Sequence, residues 1–402
     1  MAIEDYVEHM PPLIPPGAVH EMSRMMLAKC PIVHSDQDNG FWLMNRHRDV
    51  LRVMQDQTGF ASGNRGVRVP TMPVDQPPMP PIDSNPPLHR RVREIMNPFL
   101  SPQALAKHDP MMRTIIGGLI DEFVPDGRCD IATQLAKRFP SQITSQVMFQ
   151  VTDQRELDQL RHWVRRLSYD MLRDDPKVLA ELQKEWMEWC QDLVDKRRAE
   201  PQDDIVSALV SATVEEGRHL SDEEIKGSIQ ILTLGGFSTT ADATCNIVIR
   251  LANDPTLEPL LRERPELIPA AIEEIMRLEP PVTARPRRAT QDIEIDGHLI
   301  NANDRVLCNY LAANVDPEEW DEPEKFIIDR TRNRAVTFGV GPHRCIGSNM
   351  ARMSLRIMLE ELLERVTEIH WDGDRRDERI SFNPSAWRAC DSLPVTFTPR
   401  RR

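Results

Sequence analysis

The sequence predicts a mainly α protein with small β-sheets, and three observations carry that prediction. Apolar positions recur at helical spacing through most of residues 103–200. Ser221-Asp222-Glu223-Glu224 opens a helix with no stop signal before Asp254-Pro255. Extended stretches are short and scattered: Phe41–Met44, three runs between 282 and 307, and Leu393–Phe397. The chain has 402 residues and is 40% hydrophobic, enough for a core, and its length fits one large domain or two modest ones. A net charge of −13 argues against a nucleic-acid partner. Met1-Ala2-Ile3-Glu4-Asp5 lacks a basic region followed by an apolar run, and no apolar stretch of spanning length occurs, so a cytoplasmic chain with no membrane partner is expected. The seven cysteines are scattered without a Cys-x-x-Cys pair, which speaks against both a disulfide framework and a zinc site.

In chain order, the proline-rich residues 1–20 read as an extended arm. Arg46–Gln55 has helical spacing, with Val50, Leu51 and Met54 on one face. Ala61–Pro87 holds eight prolines and reads as a long loop, either a poorly ordered segment or a functional one. Pro86 and Pro87 then start a helix on which His89 and Arg93, four apart, share a face. Helices are expected over Leu105–Phe123, Ile131–Phe149, Asp153–Leu172 and Pro176–Arg198. The long helix from Ser221 contains Leu234-Gly235-Gly236-Phe237-Ser238-Thr239-Thr240. Adjacent glycines cost about 1 kcal/mol each relative to alanine in mid-helix. They permit a kink or a close helix crossing. Glu274 and Arg277 lie three apart in a helix over Pro269–Leu278, where such pairs usually sit on the surface and contribute a few tenths of a kcal/mol. Pro280-Pro281 ends that helix and residues 282–290 read as extended; Ile293–Gly297 and Arg305–Leu307 read as strands joined by a turn.

The richest stretch is Phe338-Gly339-Val340-Gly341-Pro342-His343-Arg344-Cys345-Ile346-Gly347. Its glycines permit backbone angles closed to other residues and a close approach of main chain to a partner. Cys345 sits where the turn gives way to a helical pattern running from Ser348 to about Leu363. Amides at a helix start favour a thiolate, and a thiolate is a strong axial ligand of haem iron. Taken alone, one cysteine of seven is more often a small buried hydrophobe.

Phe-Gly-x-Gly-x-His-x-Cys-x-Gly resembles the haem-binding loop of the cytochromes P450 at every motif position. Four further stretches in the same order strengthen the resemblance: His89-x-x-x-Arg93, the Gly235–Thr240 run, Glu274-x-x-Arg277, and Ala312–Arg330. The resemblance implies the P450 fold over a single domain 1–402, mostly helical and roughly triangular. Haem b (iron protoporphyrin IX) would lie between the long central helix and the Cys loop with its proximal helix. Cys345 would be the metal ligand. His89, Arg93, Arg287 and His343 would hold propionates, Phe338, Gly339 and Gly347 would shape the cofactor loop, and Glu274 with Arg277 would form a structural, non-catalytic network on the Cys-loop side of the core. Gly235, Gly236, Ser238 and Thr239 match the oxygen-binding groove, Thr239 standing where a threonine supports dioxygen protonation. Ser238 departs from the family, which has an acid there, and Asp242, one turn on, is a weak candidate to replace it. Val282, Thr283, Ala284, Leu232, Gly235, Phe237 and Trp387 are candidate pocket residues, mostly apolar; no arginine is assigned to the pocket.

The activity implied is monooxygenation: one atom of O2 enters a small hydrophobic organic substrate, a terpenoid or an aromatic. Electrons would come from NAD(P)H through ferredoxin reductase and ferredoxin, since the chain has no flavin or Rossmann fingerprint. Arg90, Arg91, Arg344 and Arg352 would form the basic face for that acidic partner. A peroxide-dependent peroxygenase or isomerase with the same haem is the alternative that Ser238 leaves open. A non-enzymatic haem sensor would need an output element, and none is read.

Overall fold

The structure, a computed structural model, describes residues 16–62, 77–168, 175–214, 217–373, 380–383 and 387–400. Its axis is the helix Asp222–Asn253, 32 residues long and uninterrupted. The capping box forms as expected: Ser221 Oγ accepts from the Glu224 amide at 3.2 Å, while Glu224 Oε2 accepts from the Ser221 amide at 2.8 Å. Both faces of this helix are buried over most of its length, and apart from the buried Asp242 its charged residues lie near the two ends. Around it pack Phe139–Phe149, Gln154–Ser168, Pro176–Ala199, Ile268–Leu278 and Ser348–Arg365. The helix Asp109–Asp121 is tied to Ser348–Arg365 by ions: Arg113 donates to Asp109, Glu360 and Glu361, and Arg365 to Asp121 and Glu361.

Several expectations need correction. Residues 16–20 are not extended but open a helix, Pro16–Lys29; proline at a first helical position forfeits no bond. Residues 1–15 lie outside the described part, as do 63–76 of the proline-rich loop and 169–174, which include the end of the helix predicted over Asp153–Leu172. The helix expected over Leu105–Phe123 is broken after Ala106, and that expected over Ile131–Phe149 begins as a wide π turn, Ala132–Ala136, before Phe139. The strand Arg128–Asp130 precedes it, pairing with Pro394–Pro399, itself paired with Val366–Trp371. Ile293–Ile295 and Arg305–Asn309 are in different sheets. The former forms a hairpin with His298–Ile300 across Asp296-Gly297. The latter is the centre of a five-stranded sheet ordered Ile32–Ser35, Phe41–Met44, Arg305–Asn309, Ala284–Ala289, Phe60–Ala61. One pairing there, Phe41–Met44 with Arg305–Asn309, is parallel. Ile380–Asn383 and Trp387–Cys390 form a further antiparallel pair.

Glu274 and Arg277 form a buried network, as the family resemblance implies, rather than the surface pair that their spacing alone suggests: their side chains are 1% and 0% exposed. Arg277 donates to both carboxylate oxygens of Glu274 at 2.7 and 2.8 Å. Its remaining N–H groups go to the carbonyls of Asn314, Pro323 and Lys325 at 2.7, 2.6 and 3.1 Å. Glu274 also accepts from Arg330 Nε and the Ile327 amide. Burial alone would raise the Glu274 pKa, but Arg277, Arg330 and the amide together hold it below the usual value. Arg277 and Arg330 both lie over the Trp320 ring, at 5.0 and 5.7 Å.

Two predictions follow from this packing. Glu274→Gln leaves a buried guanidinium without its counter-charge, which costs about 3–5 kcal/mol; chemical denaturation followed by circular dichroism should show that loss, and an unchanged midpoint would contradict the network's role. At Gly227 an added Cβ would fall 1.8 Å from the Pro78 carbonyl oxygen, where the Ser228 hydroxyl also donates to Pro80 O at 2.9 Å. Gly227→Ala should therefore cost about 1–3 kcal/mol by overpacking, read as a lowered unfolding temperature.

Candidate functional site

The loop 338–347 is a tight hairpin closed by the Cys345 amide donating to Phe338 O at 2.8 Å and the Gly339 amide to Val336 O at 2.7 Å. Gly339 and Gly341 have φ of +67° and +72°, and a Cβ on Gly341 would meet Met54 O at 2.7 Å. The loop is anchored through Asn314. Its side chain accepts from the Val336 amide at 2.8 Å and donates to Thr337 Oγ1 at 2.9 Å, while Thr337 donates to Met276 O. Asn314 O is the carbonyl that Arg277 holds, so the buried ion pair and the Cys loop share one framework. Phe338 carries Arg352 over its ring at 4.3 Å.

Cys345 is accessible on one side and enclosed by protein on the others, as a residue on the wall of an interior cleft is. The thiol pKa is held above its usual value, because burial outweighs the Gly347 amide, which donates to the sulfur, and the charges of Arg93, Arg285 and Arg344, which pull it down. These amide and guanidinium groups favour a thiolate that has a cation to bind.

Beside the cysteine lies a cradle of cationic and imidazole groups. The helix Leu88–Met96 brings His89 and Arg93 to one side as its spacing predicts. Arg93 Nη1 donates to Arg344 O at 2.6 Å, and the His89 and His343 rings lie 4.0 Å apart. Burial depresses the His89 pKa to about 4, with Arg93 and Arg287 adding to the effect. Burial likewise takes His343 to about 2, aided by Arg287, His89 and Arg93. No carboxylate appears among the charges acting on either ring, and the buried His89 Nε2 has no hydrogen-bond partner among the described residues. Such a cluster is built for an anion.

On the central helix a less buried stripe runs through Ile231, Leu234, Gly235 and Thr239. The two glycines do different work. A Cβ on Gly236 would collide with the Thr144 side chain at 2.6 Å, so this glycine permits a helix crossing; a Cβ on Gly235 would meet nothing within 4 Å, and the same holds for Gly347. Thr239 Oγ1 donates to Gly235 O at 2.6 Å. Ser238 is buried and donates to Leu234 O at 2.8 Å. Asp242, on the Ser238 side, is also buried and accepts from the Cys390 amide at 3.3 Å, a structural tie to the end of the strand Trp387–Cys390.

The remaining pocket candidates divide. Leu232 and Phe237 lie in the main core cluster. Val282 packs under the five-stranded sheet, Ala284 is buried in the main core, and the Thr283 carbonyl accepts from the Tyr310 and Leu311 amides. Of Trp387 only the backbone, in its strand, is described. Ile231 and Leu234 were missed, although counting back from Thr239 in steps of four reaches Gly235 and then Ile231. Among the basic residues, Arg90 and Arg91 share Glu94, and Arg352 is held by Glu273 at 2.6 and 2.9 Å. Arg344 is exposed.

A sulfur with an amide donor, unfilled space beside Gly235 and Gly347, and a cation cradle around an orphaned imidazole nitrogen together fit a flat, iron-centred group bearing carboxylates. Among the described residues no helix is long and apolar enough to cross a membrane.

Comparison with known proteins agrees with this geometry. The family model for cytochrome P450 matches residues 36–369. A steroid C26-monooxygenase of Mycobacterium tuberculosis is 30% identical over 382 residues, covering 94% of this chain and 93% of the relative. Linalool 8-monooxygenase of Pseudomonas putida is 28% identical over 357 residues, covering 86% and 87%. The solved structure of a P450 EryK mutant with erythromycin B superposes with a TM-score of 0.85 at 28% identity, covering 96% of this chain and 98% of that one. With its Cys loop, cation cradle and central helix in the family's order, this chain belongs to the cytochrome P450 family of monooxygenases.

Proposed function

We propose that Cys345 is the thiolate ligand of haem b, held between the Ile231–Thr239 stripe and the Cys loop, with Arg93, Arg287, His89 and His343 at its propionate edge. The observation that carries this reading is the joint placement of Cys345 and a cradle that lacks its anion. When bound, haem supplies the activation of O2 and the transfer of one oxygen atom to the substrate. The Gly347 amide moderates the sulfur's electron donation. Gly235, with no side chain, leaves room above the cofactor plane. Thr239 is the hydroxyl on the stripe and can pass a proton once it turns from Gly235 O. Ser238, bonded into the helix, takes no part in that transfer.

The substrate is a small hydrophobic organic molecule, and relatives named for a steroid and for linalool favour an isoprenoid over an aromatic scaffold. Electrons come from NAD(P)H through ferredoxin reductase and ferredoxin, which docks near exposed Arg344. The second reading, peroxide-driven turnover with no electron partner, is favoured by one observation: the stripe carries no carboxylate, and Ser238 stands where the family has an acid.

Turnover with isotopically labelled O2, ferredoxin and reductase tests the two against each other. Label in the product supports the monooxygenase, whereas product formed only with added peroxide supports the alternative. Thr239→Ala should cut product formation by about tenfold to a hundredfold through loss of a positioned proton donor, while reductant consumption continues; unchanged coupling would remove Thr239 from the mechanism. Arg344→Glu should slow reduction by ferredoxin while haem content is kept, because the cradle uses the backbone carbonyl of Arg344; an unaltered reduction rate would contradict the docking site.

A further inference from the structure

We propose that Cys245 and Cys390 form an oxidation site, at which hydrogen peroxide converts the two thiols into a disulfide that pins the strand Trp387–Cys390 to the central helix. Neither cysteine belongs to the haem site, so the inference stands apart from the assignment of Cys345.

Cys245 lies on the helix Asp222–Asn253 one turn beyond Asp242, and at that spacing the two residues share a face. Cys390 ends its strand, and its amide donates to Asp242 Oδ1 at 3.3 Å. That bond holds the Cys390 main chain against the turn of helix that carries Cys245. The side chains complete the contact. Cys390 Sγ donates to Ser392 O at 3.6 Å, and the sulfur in turn accepts from the Cys245 thiol. Both residues belong to the main core cluster, 1% and 4% exposed. The thiols of Cys129, Cys190 and Cys308 are kept protonated chiefly by burial, whereas at Cys245 the first cause is the bond to Cys390. Sequence separation hides the pair, which only the fold brings together.

The chemistry needs one peroxide. Attack by Cys390 sulfur on an oxygen of hydrogen peroxide forms an S–O bond and breaks the O–O bond, giving a sulfenic acid and, with the thiol proton, one water. Cys245 sulfur then displaces the sulfenic hydroxyl, which takes the second thiol proton and leaves as a second water while the S–S bond forms. Two sulfurs are oxidised and one peroxide is reduced. Cys390 is the end that reacts first, because it adjoins exposed Asp391, while Cys245 is fixed in mid-helix. Lys137, whose charge favours a thiolate here, is held in place by donating to Asp391 O at 3.0 Å. Burial of both thiols makes the first step slow, so the pair answers sustained oxidant and stays reduced otherwise. The disulfide would close a long loop and fasten the strand to the helix that carries Thr239.

Peptide mapping tests this directly. Cys245 is the one cysteine of the tryptic peptide 227–250, and Cys390 that of 389–400. The haem-loaded protein is treated with hydrogen peroxide, its remaining thiols are alkylated under denaturing conditions, and the digest is read by mass spectrometry. The expected product is the two peptides joined, about 2 Da lighter than their sum and separated by a reductant. It should be absent before oxidation and absent from Cys390→Ser. In Cys245→Ala the sulfenic acid at Cys390 has no thiol to close on and should be captured by dimedone; no capture there would overturn Cys390 as the attacking sulfur. The wild-type map decides the matter even where a variant folds poorly. Cys245 and Cys390 both still alkylated after prolonged peroxide, sulfinic acid at either without a link, or a link from either to a different cysteine would overturn the inference.

Discussion

A carboxylate and a guanidinium taken wholly out of water must have every polar atom satisfied, and in this protein that requirement organises the proximal half of the fold. Arg277 has Glu274 on one side and three main-chain carbonyls on the other. Those carbonyls belong to a winding segment, 314–325, that regular secondary structure does not fix. The pair supplies the constraint that helix or sheet would supply elsewhere. Because Asn314 also holds Val336 and Thr337, the constraint passes directly to the Cys loop. Breaking one partner would leave a buried charge, whereas the intact pair adds little net stability. Its worth lies in position.

Around the Cys loop, electrostatics and empty volume are divided among few residues. Burial opposes charge on Cys345, His89 and His343 alike, yet guanidinium groups surround all three. Such an arrangement is costly in the protein alone and becomes favourable with an anion at the histidines and a cation at the sulfur. The glycines follow the same division. Gly341 and Gly236 are explained by protein atoms that leave no room for a Cβ, while Gly235 and Gly347 are not. Adjacent glycines in one helix thus have separate causes, one for packing and one for the site.

Patterns local in sequence were legible: the capping box and its helix, the His89/Arg93 face, and the turn chemistry of the Cys loop. What escaped depends on distant partners. The Glu274/Arg277 spacing suits a surface pair equally well, and only the segment 314–330 folding over it takes it out of water. Ile293–Ile295 was given the wrong partner because a strand's neighbour is not encoded in its own alternation. Leu232 and Phe237 were named as pocket candidates, whereas the helical period turns them into the core. Ser238 was identified as a departure from the family, but its orientation into the helix needed coordinates.

The claim on which the rest depends is that Cys345 binds haem iron as a thiolate. The most direct measurement is the spectrum of the ferrous carbon monoxide complex for wild type and Cys345→Ala, each with haem content determined independently. A thiolate-type spectrum in wild type, lost in the variant, is the expected result. A thiolate-type spectrum that persists in Cys345→Ala would assign the iron to another residue and contradict the account.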